Sequence, residues 1–184
     1  MFDVDRFVEE CRSVLNEDTP ELAMKEVVQR AVSAPDELLR AFGAPDTIEN
    51  IHPLYRSDDL TVMHFVWPPH MSIFPHDHRV WAVIGVYGGQ EDNTFYKRRA
   101  DGQGLDRVNG RTMEGKDVAV LGQDVIHSVY NPLRQYTPAI HVYKGDFFAL
   151  ARSEWADASS LEQPLGPDSI TNAFAEANAN AAKL

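Results

Sequence analysis

The side chains whose type and spacing could do chemistry in this sequence are histidines. His76 and His78 flank Asp77, and His127 stands much further on, in the run from Ile126 to Asn131. On an extended strand residues i and i+2 face the same way, so the imidazoles of His76 and His78 can reach one ion. A third histidine from a neighbouring strand completes a facial set and leaves the opposite hemisphere open to substrate and oxygen. Neutral imidazoles leave the charge of a divalent ion undiminished, so such a centre attracts anionic ligands. Asp77 points to the opposite face of the strand and is not expected to be a ligand. His52, His64 and His70 have no partner pattern and are expected to be structural. His141, between Ile140 and Val142, competes with His127 for the third position.

Two kinds of element must position these residues. The first fifty residues read as helical. Val4, Phe7, Val8, Cys11, Val14 and Leu15 recur at helical spacing behind Asp3 as an N-cap. Thr19-Pro20-Glu21 starts a second helix, with Met24, Val27, Val28 and Ala31 on one face. A third runs from Pro35 to Phe42 and stops at Gly43. Cys11 lies on the apolar face of the first, where it is a buried structural thiol rather than a nucleophile.

From about Ile48 the texture changes to short segments rich in Val, Ile and aromatics: 60–67, 80–87, 117–121, 125–130 and 139–143. Turn signals separate them at Pro68-Pro69, Gly88-Gly89, Gly102-Gln103-Gly104, Asn109-Gly110 and Asn131-Pro132. This pattern predicts an antiparallel barrel or sandwich rather than a parallel sheet with crossover helices. Pro167-Asp168 opens a last helix carrying Ile170 and Phe174, and the Ala/Asn end from Ala175 is expected to fray. The divisions are an N-terminal helical segment (1–47), a barrel (48–156) and a C-terminal tail or helix (157–184), in one structural domain.

Composition narrows the partners. With 28 acidic against 17 basic side chains the net charge is −11, which disfavours nucleic acid and anionic membrane surfaces. Cys11 is the only cysteine, so neither an intrachain disulfide nor a cysteine-based zinc site is available, as in a reducing cytoplasm. The first residues lack a basic region followed by an apolar run, so no signal peptide is expected, and no apolar stretch reaches membrane-spanning length. The expected protein is cytoplasmic, a monomer or small homo-oligomer.

His76 and His78, preceded by Pro75 and followed by an apolar run and Gly88-Gly89, resemble the first motif of the cupin superfamily. His127 with Asn131 four residues later resembles the second. The resemblance spans roughly residues 50 to 150 and implies a mainly β, cupin-type double-stranded β-helix with N-terminal helices and a short C-terminal one. The Asn spacing favours His127 over His141 as third ligand. The Glu of the first motif is absent: Ala82 and Val83 take its place, and Glu91 stands too far along. One cupin branch, the thiol dioxygenases typified by cysteine dioxygenase and 3-mercaptopropionate dioxygenase, holds iron with three His and no carboxylate. The stretch through Trp81, Val83-Ile84-Gly85 and Gly88-Gly89-Gln90-Glu91 resembles its bacterial members, as does the segment from Ala139 to Tyr143.

That resemblance implies Fe(II) at His76, His78 and His127, although three imidazoles also accept Ni, Zn, Co or Cu. It implies a small thiol of the cysteine or 3-mercaptopropionate class and O2 as substrates, and a sulfinate as product. His141 and Tyr143 match the last two members of the family's Ser-x-His-x-Tyr element, in which the Tyr hydroxyl reaches into the pocket as a donor and the His orients it. Ala139 replaces the Ser. Val83 stands where some animal enzymes carry a Cys crosslinked to the Tyr, so no such cofactor forms here. Arg56, upstream of the first barrel strand, is the candidate for holding a substrate carboxylate, a task that suits a guanidinium fork. Trp81 and Tyr87 are expected in wall or core. Two alternatives stand beside this reading: a cupin metalloenzyme acting on a non-thiol small acid, as another dioxygenase or an isomerase, and a non-catalytic metal or ligand sensor.

Overall fold

The computed structural model describes residues 1–45 and 50–183; the expected boundary between residues 47 and 48 lies outside them. Three helices open the chain: α1 (Val4–Ser13), α2 (Pro20–Val32) and α3 (Pro35–Phe42). The Asp3 carboxylate accepts from the Arg6 backbone N–H at 2.9 Å and caps α1. Pro20 and Pro35 open α2 and α3, where a backbone N–H would have no helical partner. At Gly43 the backbone turns to φ 87° and α3 ends.

The strands follow as β1 (Ile51–Arg56), β2 (Leu60–Trp67), β3 (Ser72–Asp77), β4 (Ala82–Val86), β5 (Gln90–Arg98) and β6 (Leu105–Glu114). Then come β7 (Val118–Leu121), β8 (Ile126–Tyr130), β9 (Thr137–Lys144), β10 (Ser153–Glu154) and β11 (Gln163–Pro164), before a last helix α4 (Ser169–Ala181). They form two antiparallel sheets, ordered β1-β2-β9-β4-β7 and β11-β10-β3-β8-β5-β6. Strands β2 to β9 are dealt between the sheets as β2-β9-β4-β7 and β3-β8-β5-β6. That is the order of an eight-stranded, two-sheet jelly roll, the cupin-type double-stranded β-helix.

β2 and β4 are buried on both faces along their whole length, which is why both read as largely apolar, with only Thr61 and His64 interrupting β2. Alternation sorts their side chains. Leu60, Val62, Val83, Ile140 and Val142 face the N-terminal helices, where they meet Val8, Met24, Val28 and Leu38. Met63, Phe65, Trp67, Ile84, Ala139 and Tyr143 face the barrel interior with Ile73 and Val129 of the second sheet. A Cβ on Gly85 of β4 would lie 2.5 Å from Val28 and 2.8 Å from Val32, so α2 settles on the sheet only because no side chain projects there. Cys11 is fully buried on α1, and its thiol is pushed far up by burial.

Two expectations are corrected. Asn109-Gly110 is not a turn: both lie inside β6, opposite Phe95 and Thr94 of β5. The hairpin turns instead around Gly102 and Gly104, at φ 69° and 97°. The Ala/Asn end after Ala175 is helical rather than irregular, since α4 continues to Ala181, anchored ahead of it by Phe174 stacked on Trp67 at 5.1 Å between ring centroids. No described helix is long and apolar enough to cross a membrane.

Candidate metal centre

Strands β3 and β8 pair antiparallel and set His76 directly opposite His127. Pro75 has no N–H to give to the ladder, and the pairing register shifts between Ile73 and His76. β3 ends at Asp77, so His78 stands one residue beyond the strand, and Arg79, at φ 60°, turns the chain away. His78 still faces the same point as His76. Its Nε2 lies 3.2 Å from Nε2 of His76 and 3.2 Å from Nε2 of His127. All three rings are buried, and their ligand atoms lie within 4.8 Å of one another.

The protons on these rings follow from their other partners. His76 Nδ1 lies 3.0 Å from the Phe74 carbonyl oxygen and must donate to it. His127 Nδ1 donates to Asn93 Oδ1 at 2.7 Å, and the Asn93 amide is itself oriented by donating from Nδ2 to Glu91 Oε1 at 2.9 Å. Both Nε2 atoms therefore carry bare lone pairs aimed at His78 Nε2, which has at most one proton to offer. Burial, the leading cause, lowers the His76 pKa to about 4 and those of His78 and His127 well below the ordinary value, so the rings are neutral at neutral pH. Nitrogens about 2.1 Å from a common ion sit about 3.0 Å apart at octahedral angles and about 3.4 Å apart at tetrahedral ones. The observed 3.2 Å separations fall between these, and the donor set fits a divalent ion of the imidazole-binding series.

A cavity of about 20 Å³ adjoins the cluster, enough for roughly one water. Phe65, Trp67, Ile73, Val129 and Phe147 wall it, with His141 and Tyr143. The Tyr143 ring meets the His78 ring edge-on at 5.1 Å, and its hydroxyl is 2.8 Å from His141 Nδ1. Ala139 packs in the apolar core and brings no hydroxyl to this pair. His141 is not part of the three-nitrogen cluster.

Arg56 is placed elsewhere. Its Nε and Nη2 donate in a fork to Asp146, both at 2.8 Å, and half its side chain is exposed. It lines neither the small cavity nor the larger one beside it, so the expected carboxylate anchor is corrected. The arginine near the histidines is Arg152, close enough to act on the charge of His76 and His78. It lines the neighbouring cavity of about 350 Å³, which shares Phe65, Phe147 and Ile170 with the histidine chamber. Its guanidinium lies 3.8 Å from the centre of the Phe147 ring, which in turn stacks on Tyr143 at 3.8 Å. Arg152 Nε and Nη1 are buried without a hydrogen-bond partner.

The remaining histidines are structural where their surroundings are defined. His64 Nε2 is 2.7 Å from the Tyr87 hydroxyl beneath the helices, and burial lowers its pKa to about 4. Asn131, which helped select His127, staples the β8–β9 loop: Nδ2 donates to the carbonyls of Trp67, Pro68 and Gln135. Sequence reasoning set Glu91 aside as too far along to be a ligand and passed over Asn93 and Arg152. Glu91 and Asn93 share a strand face by the same i, i+2 rule that pairs His76 with His78, whereas a lone Arg after an apolar stretch carries no such signal.

No protein-family model matches the chain. Among solved structures it is similar to a Bacillus halodurans protein at 15% identity and TM-score 0.49, over 60% of this chain and 76% of that one. A second is an RmlC-like cupin-family protein from Methanocaldococcus jannaschii with a double-stranded β-helix fold, at 10% identity and TM-score 0.44, over 53% of this chain and 80% of that one. A third is a cupin-superfamily protein from Desulfitobacterium hafniense, at 14% identity and TM-score 0.43, over 52% and 76%. The strand order defines a cupin-type barrel, and its interior carries a buried three-histidine cluster fit to hold a metal ion.

Proposed function

We propose that this protein is a non-haem Fe(II) thiol dioxygenase that converts a small carboxylate-bearing thiol and O2 to the sulfinate, with both oxygen atoms added to sulfur (RSH + O2 → RSO2H). The observation that carries the reading is a guanidinium with two buried, unpartnered nitrogens, Nε and Nη1 of Arg152, near a three-histidine cluster without a carboxylate ligand. Fe(II) held by His76, His78 and His127 supplies a redox-active cation that favours the thiolate over the thiol. Arg152 anchors the substrate carboxylate through a charge-assisted fork, which fixes the reach of the sulfur toward the histidines. Phe65, Phe147 and Ile170, shared by both cavities, keep bulk water from the chamber, and Tyr143 faces the sulfur with its hydroxyl held by His141.

The test is oxygen uptake by anaerobically iron-loaded protein with cysteine, 3-mercaptopropionate and cysteamine, with sulfinate quantified. The two carboxylate thiols are expected to turn over with one sulfinate per O2, and cysteamine poorly. Arg152→Met should raise KM for the carboxylate thiols by about 10–100-fold, the value of a lost charged hydrogen bond, while Arg56→Ala leaves it unchanged. Absence of sulfinate from every thiol sinks the proposal. Because Arg152 suits any small carboxylate, turnover of a non-thiol acid in its place would establish the second reading, a cupin metalloenzyme of different chemistry.

A further inference from the structure

Glu91 is buried to 0% exposure on β5, and its two oxygens serve different neighbours. Oε1 accepts from Asn93 Nδ2 at 2.9 Å, and Asn93 Oδ1 accepts from Nδ1 of His127 at 2.7 Å. Oε2 has no hydrogen-bond partner and lies 3.9 Å from Nε2 of His141, which has none either. The other nitrogen of His141 is 2.8 Å from the Tyr143 hydroxyl. One buried carboxylate thus stands behind both a candidate ligand and the tyrosine of the chamber. We infer that Glu91 is a positioning residue that fixes the tautomer of His141, and through it the direction of the Tyr143 hydroxyl.

The reasoning is electrostatic. A charged carboxylate oxygen favours an N–H pointing at it over a lone pair, and a buried site leaves little solvent to compensate. With Glu91 ionised, His141 carries its proton on Nε2, so Nδ1 is bare and must accept the Tyr143 hydroxyl proton. The Tyr143 oxygen then offers lone pairs to the chamber, as an acceptor for a substrate S–H or ammonium. With a neutral donor in place of the charge, His141 holds its proton on Nδ1 and donates it to Tyr143, whose O–H is released toward the chamber. The donor role expected of Tyr143 thus belongs to the second arrangement.

Around the carboxylate stand the Asn93 amide, Met113 across the ladder and the Trp67 indole, whose N–H closes no hydrogen bond but still favours the charged form. Burial raises the Glu91 pKa to about 7, so the group is ionised at pH 8.5. Ala139 brings no hydroxyl to this arm, whereas Glu91 stands opposite its open end. The meaning of an acceptor Tyr143 for a thiol rests on the proposed function; the tautomer itself does not.

The experiment is a two-bond ¹H–¹⁵N correlation of the histidine rings in metal-free protein at pH 8.5, without thiol. In the native protein His141 is expected protonated at Nε2 and bare at Nδ1. In Glu91→Gln the amide oxygen still accepts from Asn93, its NH2 faces His141, and the proton moves to Nδ1; His127 keeps its native tautomer as an internal control. In Tyr143→Phe the Nε2 proton stays, because Glu91 rather than the tyrosine sets it; this variant carries the test if Glu91→Gln does not fold. A native His141 protonated at Nδ1, the same tautomer in native and Glu91→Gln, or loss of the Nε2 proton in Tyr143→Phe overturns the inference. None of these readings involves iron, thiol or oxygen, so failure of the dioxygenase proposal is read separately.

Discussion

Each ring nitrogen in the cluster owes its role to the atom behind it. His127 presents a lone pair because Asn93 takes its other proton, and His76 does so because the Phe74 carbonyl does. Asn93→Leu keeps the bulk of the side chain and removes that acceptor, freeing His127 to change tautomer. Metal affinity, read by competition with a chromophoric chelator, should fall by about 10–100-fold. The two histidines that compete in the sequence separate in the same assay. His127→Ala removes a converging nitrogen and should abolish retention, whereas His141→Ala leaves all three in place and should change affinity by less than about tenfold. The reverse ordering would assign the third position to His141.

Between His76 and His78, Asp77 turns outward and fastens another part of the chain. Its buried carboxylate accepts from the Ser153 backbone N–H at 2.8 Å and meets Arg79 at 2.7 Å and Arg98 at 3.0 Å, while Glu162 binds the same two arginines. This clamp holds β10 against β3 and fixes the residue just before it, Arg152, in the wall of the neighbouring cavity. Asp77→Asn turns an amide NH2 toward the guanidinium groups. With the carboxylate buried but both arginines about 40% exposed, the cost lies between the surface and buried limits, about 2 kcal/mol. Melting should fall by about 4–8 °C, and KM for a carboxylate thiol should rise as Arg152 loosens. An unchanged melt would mean that the ends of β3 and β10 do not depend on the clamp.

Such elements divide by how legible they are. The helices and β2, β4, β7, β8 and β9 can be read because their caps are local and their burial imposes a pattern. β5 and β6 cannot, since β6 is an exposed edge with only Leu105 and Met113 buried, and Asn109-Gly110 imitates a turn within it. In the site, His76 and His78 declare themselves by their i, i+2 spacing, and His127 by the Asn131 that follows it four residues on. Arg152 and Glu91 do not, because their relation to the cluster exists only once β9, β10 and β5 are folded around it.

For the molecule as a whole, the number of buried neutral histidines sets the response to acid. Burial holds His64 and His76 at about 4 and His141 at about 3, with His78 and His127 well below the ordinary value, against about 6.5 in an unfolded chain. Between those limits the unfolded chain binds more protons, so their contribution is complete above pH 6.5 and is lost as pH falls toward 4. Glu91 opposes them: folded at about 7 against 4.5 unfolded, it favours the folded state as pH falls, but it is one group against five. Denaturant titrations of metal-free protein should show stability levelling off only about one unit above the Glu91 value, near pH 8, and falling below pH 6.5 by about 1.4 kcal/mol per pH unit for each net proton taken up by the unfolded chain. The same depression shields the folded cluster from protons competing with a metal. An exposed three-histidine site with ordinary pKa values would lose roughly 10⁴-fold in affinity between pH 7 and 5. Here the three nitrogens stay unprotonated over that range, so zinc, a redox-inert probe, should bind the folded protein with less than about a tenfold change. A steep loss of zinc below pH 6.5, measured where circular dichroism shows the protein still folded, would mean that the cluster opens to solvent and is not the closed site drawn by His76, His78 and His127.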